Sequence, residues 1–499
     1  MNTITRNALT LFTQQIAVWG LSFLVIIVVP NVLGEVDFGR WAFAMAFVGF
    51  FGLVGSLGTY TFMLKTTARD ASQVGLYAFN GLLMKLSVCG VLGLVAIGTG
   101  ALLGYESTTM LLVVAASLSM ILTLSNEVVQ GAMHGMERMA RPALWTVVQQ
   151  YVGVGLSLGV IAVGGGVVGY GFALVPALLI PLVANLHALR GPISASRHVD
   201  FALWKTIAVG GLPYLAWSAI LFVYGSIDML MLRPMAGEAT VGWYSLAYRW
   251  VSLPVLVAST ASTAMFPQLS AHGVDVNERF LSVSNRAIKF VAFSALPVAA
   301  GVAVLARDII DTFYDGKFQE SVPLIIILGL HIPIVVVDVV LGMVLIASDR
   351  QKQWVIVGCI AAVLNPLLNL AAIPLTIRWY DNGAIGAATV TVFTELLMMS
   401  GALKLRPRGV LDRSTLSYIA RSAVATVAVV AVCLGVYDAG IIVKVLLGGV
   451  TYVIAALALR TASWSQVALL RSRLRHPQQA PEAPEGSPLE PSAPASERP

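Results

Sequence analysis

Residues 33–44 read LGEVDFGRWAFA, and residues 236–247 read AGEATVGWYSLA. Set side by side at an offset of 203 residues, Gly34, Glu35, Gly39, Trp41 and Ala44 fall on Gly237, Glu238, Gly242, Tyr244 and Ala247. Taken alone, the first copy suggests a metal-holding acidic pair, Glu35 and Asp37. The second copy has Thr240 where Asp37 would stand, while the glycines, the glutamate and an aromatic return. A metal pair needs both acids, whereas a turn joining two helices needs glycines and one polar cap. The stretch therefore reads as the hairpin of a duplicated unit.

Two further echoes keep the same order. EVVQG (127–131) matches DVVLG (338–342) at an offset of 211, and GVVG (166–169) matches GAIG (383–386) at 217. A slow drift of this kind is what a few loop insertions in the second half produce. Around these markers the chain is 58% hydrophobic and only 11% charged over 499 residues, with a mean hydropathy of +0.83. Soluble domains carry roughly 25% charged residues, so an ordinary soluble globule is excluded. Apolar runs near the length needed to cross a bilayer, about 20 residues, recur almost end to end. Six run from 9–33 to 167–189, six more from 206–232 to 383–403, and two follow at 415–437 and 439–459. The first is too long for the core of a cleavable signal peptide, roughly 7–15 residues.

Each echo joins span n to span n+6. Six is even, so both copies enter the membrane in the same sense, as parallel repeats about an axis along the membrane normal. The sequence thus predicts an all-α polytopic membrane protein of about 14 transmembrane helices, two pseudo-symmetric six-helix bundles plus a C-terminal helix pair. The units are 1–190, 191–405 and 406–462, followed by a basic amphipathic segment and Pro-rich tail at 463–499. With the N-terminus inside, 23 of the 31 lysines and arginines fall on cytoplasmic segments and five on outside loops. That bias places both termini in the cytoplasm and accounts for the net charge of +6 without a nucleic-acid partner. The tail from His476 holds seven of the 22 prolines and little to bury, so disorder is expected. Cys89, Cys359 and Cys433 lie in apolar runs without metal or redox spacing and read as packing residues.

With these stretches go SIDMLMLRPMAGEATVGWYSLAYRW (226–250), FYDGKFQESVPLIIILGL (313–330), IASDRQKQW (346–354) and LNPLLNLAAIPLTIRWYDNGAIGAA (364–388). In order and spacing the chain, up to about residue 460, resembles the Wzx-type oligosaccharide flippases of the polysaccharide-transporter family. That family sits in the superfamily of multidrug-and-toxin extruders and the lipid II flippase. The resemblance implies a bacterial cytoplasmic-membrane flippase that moves an undecaprenyl-pyrophosphate-linked oligosaccharide by alternating access. It implies as partners that substrate, membrane lipids, and a polysaccharide polymerase with its glycosyltransferases. It also implies that the extra helix pair shelters a lipid tail, and that Pro213, Pro254, Pro297 and Pro366 bend spans during gating.

Ionisable side chains inside spans cost about 2.5–3.5 kcal/mol each on insertion scales and normally face a cavity or a partner. Arg249, near the middle of its span, is either a cavity cation gripping a pyrophosphate, whose oxygens match the guanidinium fork, or the ion-pair partner of Asp228. Lys85 either adds charge to the same cavity or snorkels to the inner surface; Arg6 completes the candidate headgroup cations. Glu127 and Asp338 occupy matching positions in the two halves, and with Asp228 and Glu395 they are candidates for coupling to H+ or Na+. The competing reading pairs Glu127 with Arg138 or Arg141, and Glu395 with another helix. Gln14, Gln15 and Trp19, Gln149, Gln150 and Tyr151, and Asn365 and Asn369 either line a sugar path or bond between helices. No cofactor is expected, nor a metal beyond a coupling cation.

The sequence has no GxxxxGK[ST] loop, no HExxH, and no nucleophile–histidine set. Power must come from a gradient, the membrane potential, or consumption of product on the far side. Rival readings are a cation-coupled multidrug antiporter, a lipid II flippase, and a membrane glycosyltransferase. The antiporter is disfavoured by the extra helix pair and intramembrane cations, and the lipid II flippase by a first span with no basic residue but Arg6. The transferase is disfavoured by outside loops too short to hold an acceptor.

Overall fold

The computed structural model describes residues 3–270 and 276–461. They are helical throughout, with no strand among them. The first-half helices are α1 (Thr3–Ser56), α2 (Thr59–Arg69), α3 (Val74–Leu102), α4 (Ser107–Gly135), α5 (Ala140–Ala162) and α6 (Gly166–Ala188). After the short α7 (Arg190–Ala195) come α8 (Phe201–Ala236), α9 (Glu238–Ser270), α10 (Glu278–Val304), α11 (Ala306–Phe313), α12 (Ser321–Gly329) and α13 (His331–Ala347). The chain then runs through α14 (Gln351–Tyr380), α15 (Gly383–Leu405), α16 (Arg413–Gly435) and α17 (Ile441–Ala458).

Twelve of the described helical segments are long and apolar enough to cross a membrane. One, Thr13–Arg69, has 57 residues; at about 1.5 Å per residue it would reach about 85 Å, nearly three times a hydrocarbon core of about 30 Å. It is interrupted at Gly34, the non-helical residue inside α1. That division, together with the 33-residue α9, would supply the two further crossings of the fourteen expected. The all-α polytopic class holds.

The repeat is visible in the backbone itself. Gly34 has φ 77° and ψ 177°, and its sequence mate Gly237 has φ 89° and ψ 176°. These angles lie in a region open to glycine and closed to residues with a Cβ, so the same residue makes the same hairpin twice. The two hairpins also lie against each other reciprocally. A Cβ on Gly39 would stand 1.9 Å from the Glu238 carbonyl oxygen, and one on Gly242 would stand 2.1 Å from that of Glu35. The halves thus touch backbone to backbone at what we call the hairpin end.

Polar contacts fasten that end. Arg40 reaches Glu238 across the halves at 2.5 Å, and also Asp37 and Glu106. Arg233 holds the same Glu238 at 3.0 Å and lies over the rings of Phe43 and Tyr105. Glu35 has a different task, accepting the amide of Phe318 at 2.5 Å. Glu35 and Asp37 thus face separate partners.

At the opposite end, loops are closed by side-chain caps. Asp200, Asn277 and Asp412 accept the first amides of α8, α10 and α16. The bonds from Thr415 hold the Asp412 carboxyl below the usual carboxylate range. Helix α8 straddles the halves. Leu203 and Ile207 near its start pack on Met84 of the first half, whereas Asp228 near its end is bonded into the second. The α16–α17 pair packs through Val429, Cys433 and Tyr452 against Phe293 of α10. The amphipathic segment and tail expected at 463–499 lie outside the described residues.

Candidate functional site

Closure at the hairpin end leaves a cavity of about 1120 Å³ between the halves. Its walls come from the C-terminal part of α1 with α2, from α4, from the middle of α8, and from the start of α14. Aromatic faces are supplied by Tyr60, Tyr214, Phe222 and Trp354; amides and hydroxyls by Gln130, Gln351, Thr59, Thr123 and Ser218. Among the described lining residues, Glu127 is the one with a carboxylate or a cationic side chain. It makes no ion pair among the described residues, so the pairing with Arg138 or Arg141 is not formed.

Lys85 is fully buried but does not line this cavity. Its Nζ donates to the carbonyls of Gly55 (2.5 Å) and Ser56. Helix α1 ends there, and Leu57 and Gly58 take positive φ. Carbonyls at a helix end lack intrahelical partners, and burying them without a donor is costly. Lys85 satisfies them from behind the wall.

A second cavity, about 370 Å³, lies among α1, α5, α6 and α9. Arg249 lines it with Gln150, Tyr170 and Trp41. The guanidinium lies 4.7 Å over the Trp41 ring and 5.1 Å from that of Phe38, a cation–π arrangement. No carboxylate stands within ion-pair distance of it among the described residues, and the alternative of an Arg249–Asp228 pair is corrected. Arg249 leaves α9 towards α1, while Asp228 faces α14 and α15.

One helix face away lies an apolar groove of about 610 Å³. Phe23, Trp250, Val302, Phe313, Val445 and Tyr452 contribute to it, so α16 and α17 form one side. Phe23 meets Trp250 edge to face at 5.8 Å, and Trp250 Nε1 donates to the Tyr314 hydroxyl, which donates to the Ile26 carbonyl, each at 2.9 Å. The α1–α9 seam therefore separates the groove from the Arg249 cavity. Lys444, at the groove, is paired to Asp308 at 2.8 Å.

The remaining acids sit in the core of the second half. Asp228 Oδ2 accepts the hydroxyls of Tyr244 (2.5 Å) and Thr391 (2.8 Å), and Oδ1 accepts the Asn369 amide at 2.6 Å. Asn369 also donates to Asn365 Oδ1 at 3.0 Å. Asn365 and Asn369 are thus buried around Asp228 and do not line a sugar path. The Asn369 side-chain oxygen, Oδ1, is buried with no donor among the described residues. Nearby, Glu395 accepts the Tyr224 hydroxyl and lies 3.5 Å from His331 Nε2. Asp338 is buried with Oδ1 unpartnered, so it stands apart from its repeat mate Glu127, which faces the cavity.

Of the other candidates, Gln150 lines the Arg249 cavity. Gln14, Gln15, Trp19 and Gln149 are half-buried in α1 and α5 and line neither large cavity. Tyr151 reaches the Ala17 carbonyl at 3.5 Å. The side chain of Arg6 lies outside the described residues. Sequence reasoning passed over His331, Tyr60, Tyr214 and Trp354. A histidine at the start of the run HIPIVVVDVV and the polar break QKQW were the available signals.

A family profile described as "Polysaccharide biosynthesis protein" matches residues 4–272. The chain is 21% identical over 290 residues to the "Probable flippase AglR" of Haloferax volcanii, covering 57% of this chain and 59% of that protein; it thus spans about three-fifths of that relative's length. Among solved structures it is similar to "Lipid II flippase MurJ, inward closed conformation", with a TM-score of 0.73 at 14% identity over 91% of this chain and 99% of that one. It is also similar to an inward-facing MATE-family multidrug resistance transporter of the MOP superfamily, with a TM-score of 0.60 at 17% identity over 83% and 98%. At such identities the likeness is one of fold. The duplicated hairpins, the cavity between halves and the matched profile together place this chain in the polysaccharide biosynthesis protein family.

Proposed function

We propose that this membrane protein is a flippase for an undecaprenyl-pyrophosphate-linked oligosaccharide, feeding synthesis of an exopolysaccharide, capsule or O-antigen. The observation that carries the reading is Arg249, a guanidinium with no described carboxylate partner, lining a cavity beside an apolar groove. A lipid-linked pyrophosphate needs both: an anion site of fork geometry and a channel for its tail, and the α1–α9 seam between them has to part for one molecule to occupy both. The cavity between the halves, mainly apolar but carrying aromatic faces, amides and hydroxyls, is the space large enough for the glycan. The family resemblance points to the bacterial cytoplasmic membrane, and the charge bias favours both termini inside, which puts the hairpin end outside and the large cavity on the inner side. The two halves then rock about the hairpin contact to expose the cavity alternately. A polymerase and glycosyltransferases are the expected partners.

For coupling, the Asp228 cluster fits a monovalent cation better than the other acids do. It gathers carboxylate, amide and hydroxyl oxygens in one buried spot, and the Asn369 side-chain oxygen, Oδ1, lacks a donor among the described residues. A sodium ion or a proton would neutralise the carboxylate there.

The decisive experiment deletes the gene and follows lipid-linked oligosaccharide on the cytoplasmic leaflet. Accumulation is expected, relieved by wild type, by Arg249→Lys in part, and by Arg249→Ala at about one-tenth of wild-type rate or less, the scale of one lost charged hydrogen-bond set. Full relief by Arg249→Ala, or no accumulation on deletion, defeats the proposal. The acidic wall at Glu127 gives the antiporter reading its one specific support; loss of resistance to cationic dyes without lipid accumulation would favour it.

A further inference from the structure

The charges are divided between the two cavities in a way that constrains the glycan. Arg249 lies in the smaller cavity, and among the described residues no lysine or arginine lines the larger one. Lys85 does not line the larger cavity, and its ammonium is held by the Gly55 and Ser56 carbonyls. Glu127 therefore faces a space of about 1120 Å³ without an ion-pair partner among the described residues. That volume is at the upper end of small-molecule sites, roughly 300–1,000 Å³, and is bounded by aliphatic side chains, ring faces and a few neutral polar groups.

Resting on the flippase reading, we infer that the large cavity takes a glycan without acidic sugars, and that Glu127 holds an amine or hydroxyl donor of that glycan. A uronate or other acidic sugar would bring a second negative charge up to a carboxylate that has no ion-pair partner among the described residues. Like charges brought together on binding are a strong device for rejecting wrong partners. An amino sugar would give Glu127 the charge-assisted partner it lacks. A neutral sugar would still supply hydroxyl donors, with Trp354 and Tyr60 offering faces to its rings.

The test uses the full-length protein in nanodiscs and three polyprenyl-pyrophosphate-linked disaccharides that differ in one sugar: glucosamine, glucose or glucuronic acid. Direct binding is measured for each. The amine and neutral probes are expected to bind at least about tenfold more tightly than the uronate. Glu127→Gln is expected to bring the neutral and uronate probes within about threefold and to weaken the amine probe most. Arg249→Ala should weaken all three alike, since it touches the shared pyrophosphate. If Glu127→Gln does not fold, Gln130→Glu adds a carboxylate to the same wall, and the gap should widen. Equal binding of uronate and neutral probes to wild type overturns the inference and leaves the flippase reading standing, as does a preference that survives Glu127→Gln or fails to grow in Gln130→Glu. Failure of all three probes to bind overturns both.

Discussion

Valine at Gly242 is expected to drive the hairpin ends of the two halves apart. Its Cβ would stand 2.1 Å from the Glu35 carbonyl oxygen, more than 1 Å inside the normal carbon–oxygen contact of about 3.3 Å. The obstacle is backbone on both sides, so no side-chain rotation relieves it. Overpacking of this kind typically costs about 1–3 kcal/mol. Here the cost falls on the arrangement in which the hairpins touch, because the three atoms nearest that Cβ all belong to Glu35 of the facing hairpin. A penalty on one of two states shifts their ratio by about 5–150-fold. Spin labels at Val36→Cys and its repeat mate Ala239→Cys, in a cysteine-free background, report the change as a longer distance component that dominates in Gly242→Val. By reciprocity Gly39→Val should do the same, since its Cβ meets the Glu238 carbonyl at 1.9 Å. The double variant should add little, because the first clash already opens the gap that relieves the second. Unchanged distances in a well-folded Gly242→Val protein would show that the hairpin contact does not govern the state. Gly242→Ala carries the same Cβ with less bulk and serves if valine prevents folding.

This hairpin was the most legible feature of the sequence, for a local reason. A break with positive φ needs glycine at one position, and a close backbone approach needs another a turn later, so Gly34 with Gly39 and Gly237 with Gly242 mark themselves without any alignment. Charges in apolar runs were equally visible, because their cost is written in composition. What each charge faces was not. In a soluble helix the polar side reveals its rotation, but in a membrane helix lipid and core are both apolar, and the pattern is silent. Lys85 illustrates this: a cation in an apolar run can be read, but not that the end of α1 at Ser56 frees two carbonyls that use it. Asp228 does too, since its partners Tyr244, Asn369 and Thr391 come from three other helices. Arg249 and Asp228 fall 21 residues apart on consecutive spans, close enough to suggest a pair. Only the rotation of α8 and α9 sends one to the aromatic cavity and the other to the buried core.

The Asp228 cluster allows stability and coupling to be separated by two substitutions. Asp228→Ala removes the acceptor for three donors, but the donors are not equally stranded. Thr391 can keep its bond to the Ala387 carbonyl at 3.0 Å, and Asn369 keeps Asn365 Oδ1 at 3.0 Å. Tyr244 retains only the Thr391 hydroxyl, at 3.3 Å. The expected loss is therefore one stranded donor plus a small void, about 2–4 kcal/mol, rather than three times the single-bond figure. Asp228→Asn keeps the shape and one oxygen acceptor, so its cost should be about 1–2 kcal/mol. The two variants differ in stability but agree in coupling, since neither holds a negative charge. If Asp228 binds the coupling cation, wild type should melt higher in sodium chloride than in choline chloride at fixed pH. Saturation at 100 times Kd corresponds to about 2.7 kcal/mol. A proton as the coupling ion would instead make melting respond to pH in choline alone. Both variants should lose whichever response wild type shows, and both should lose ion-driven transport, even though Asp228→Asn stays nearly as stable. A cation response that persists in Asp228→Asn would move the coupling site to the neighbouring group of Glu395, His331 and Asp338, where His331 Nδ1 and Asp338 Oδ1 also lack hydrogen-bond partners.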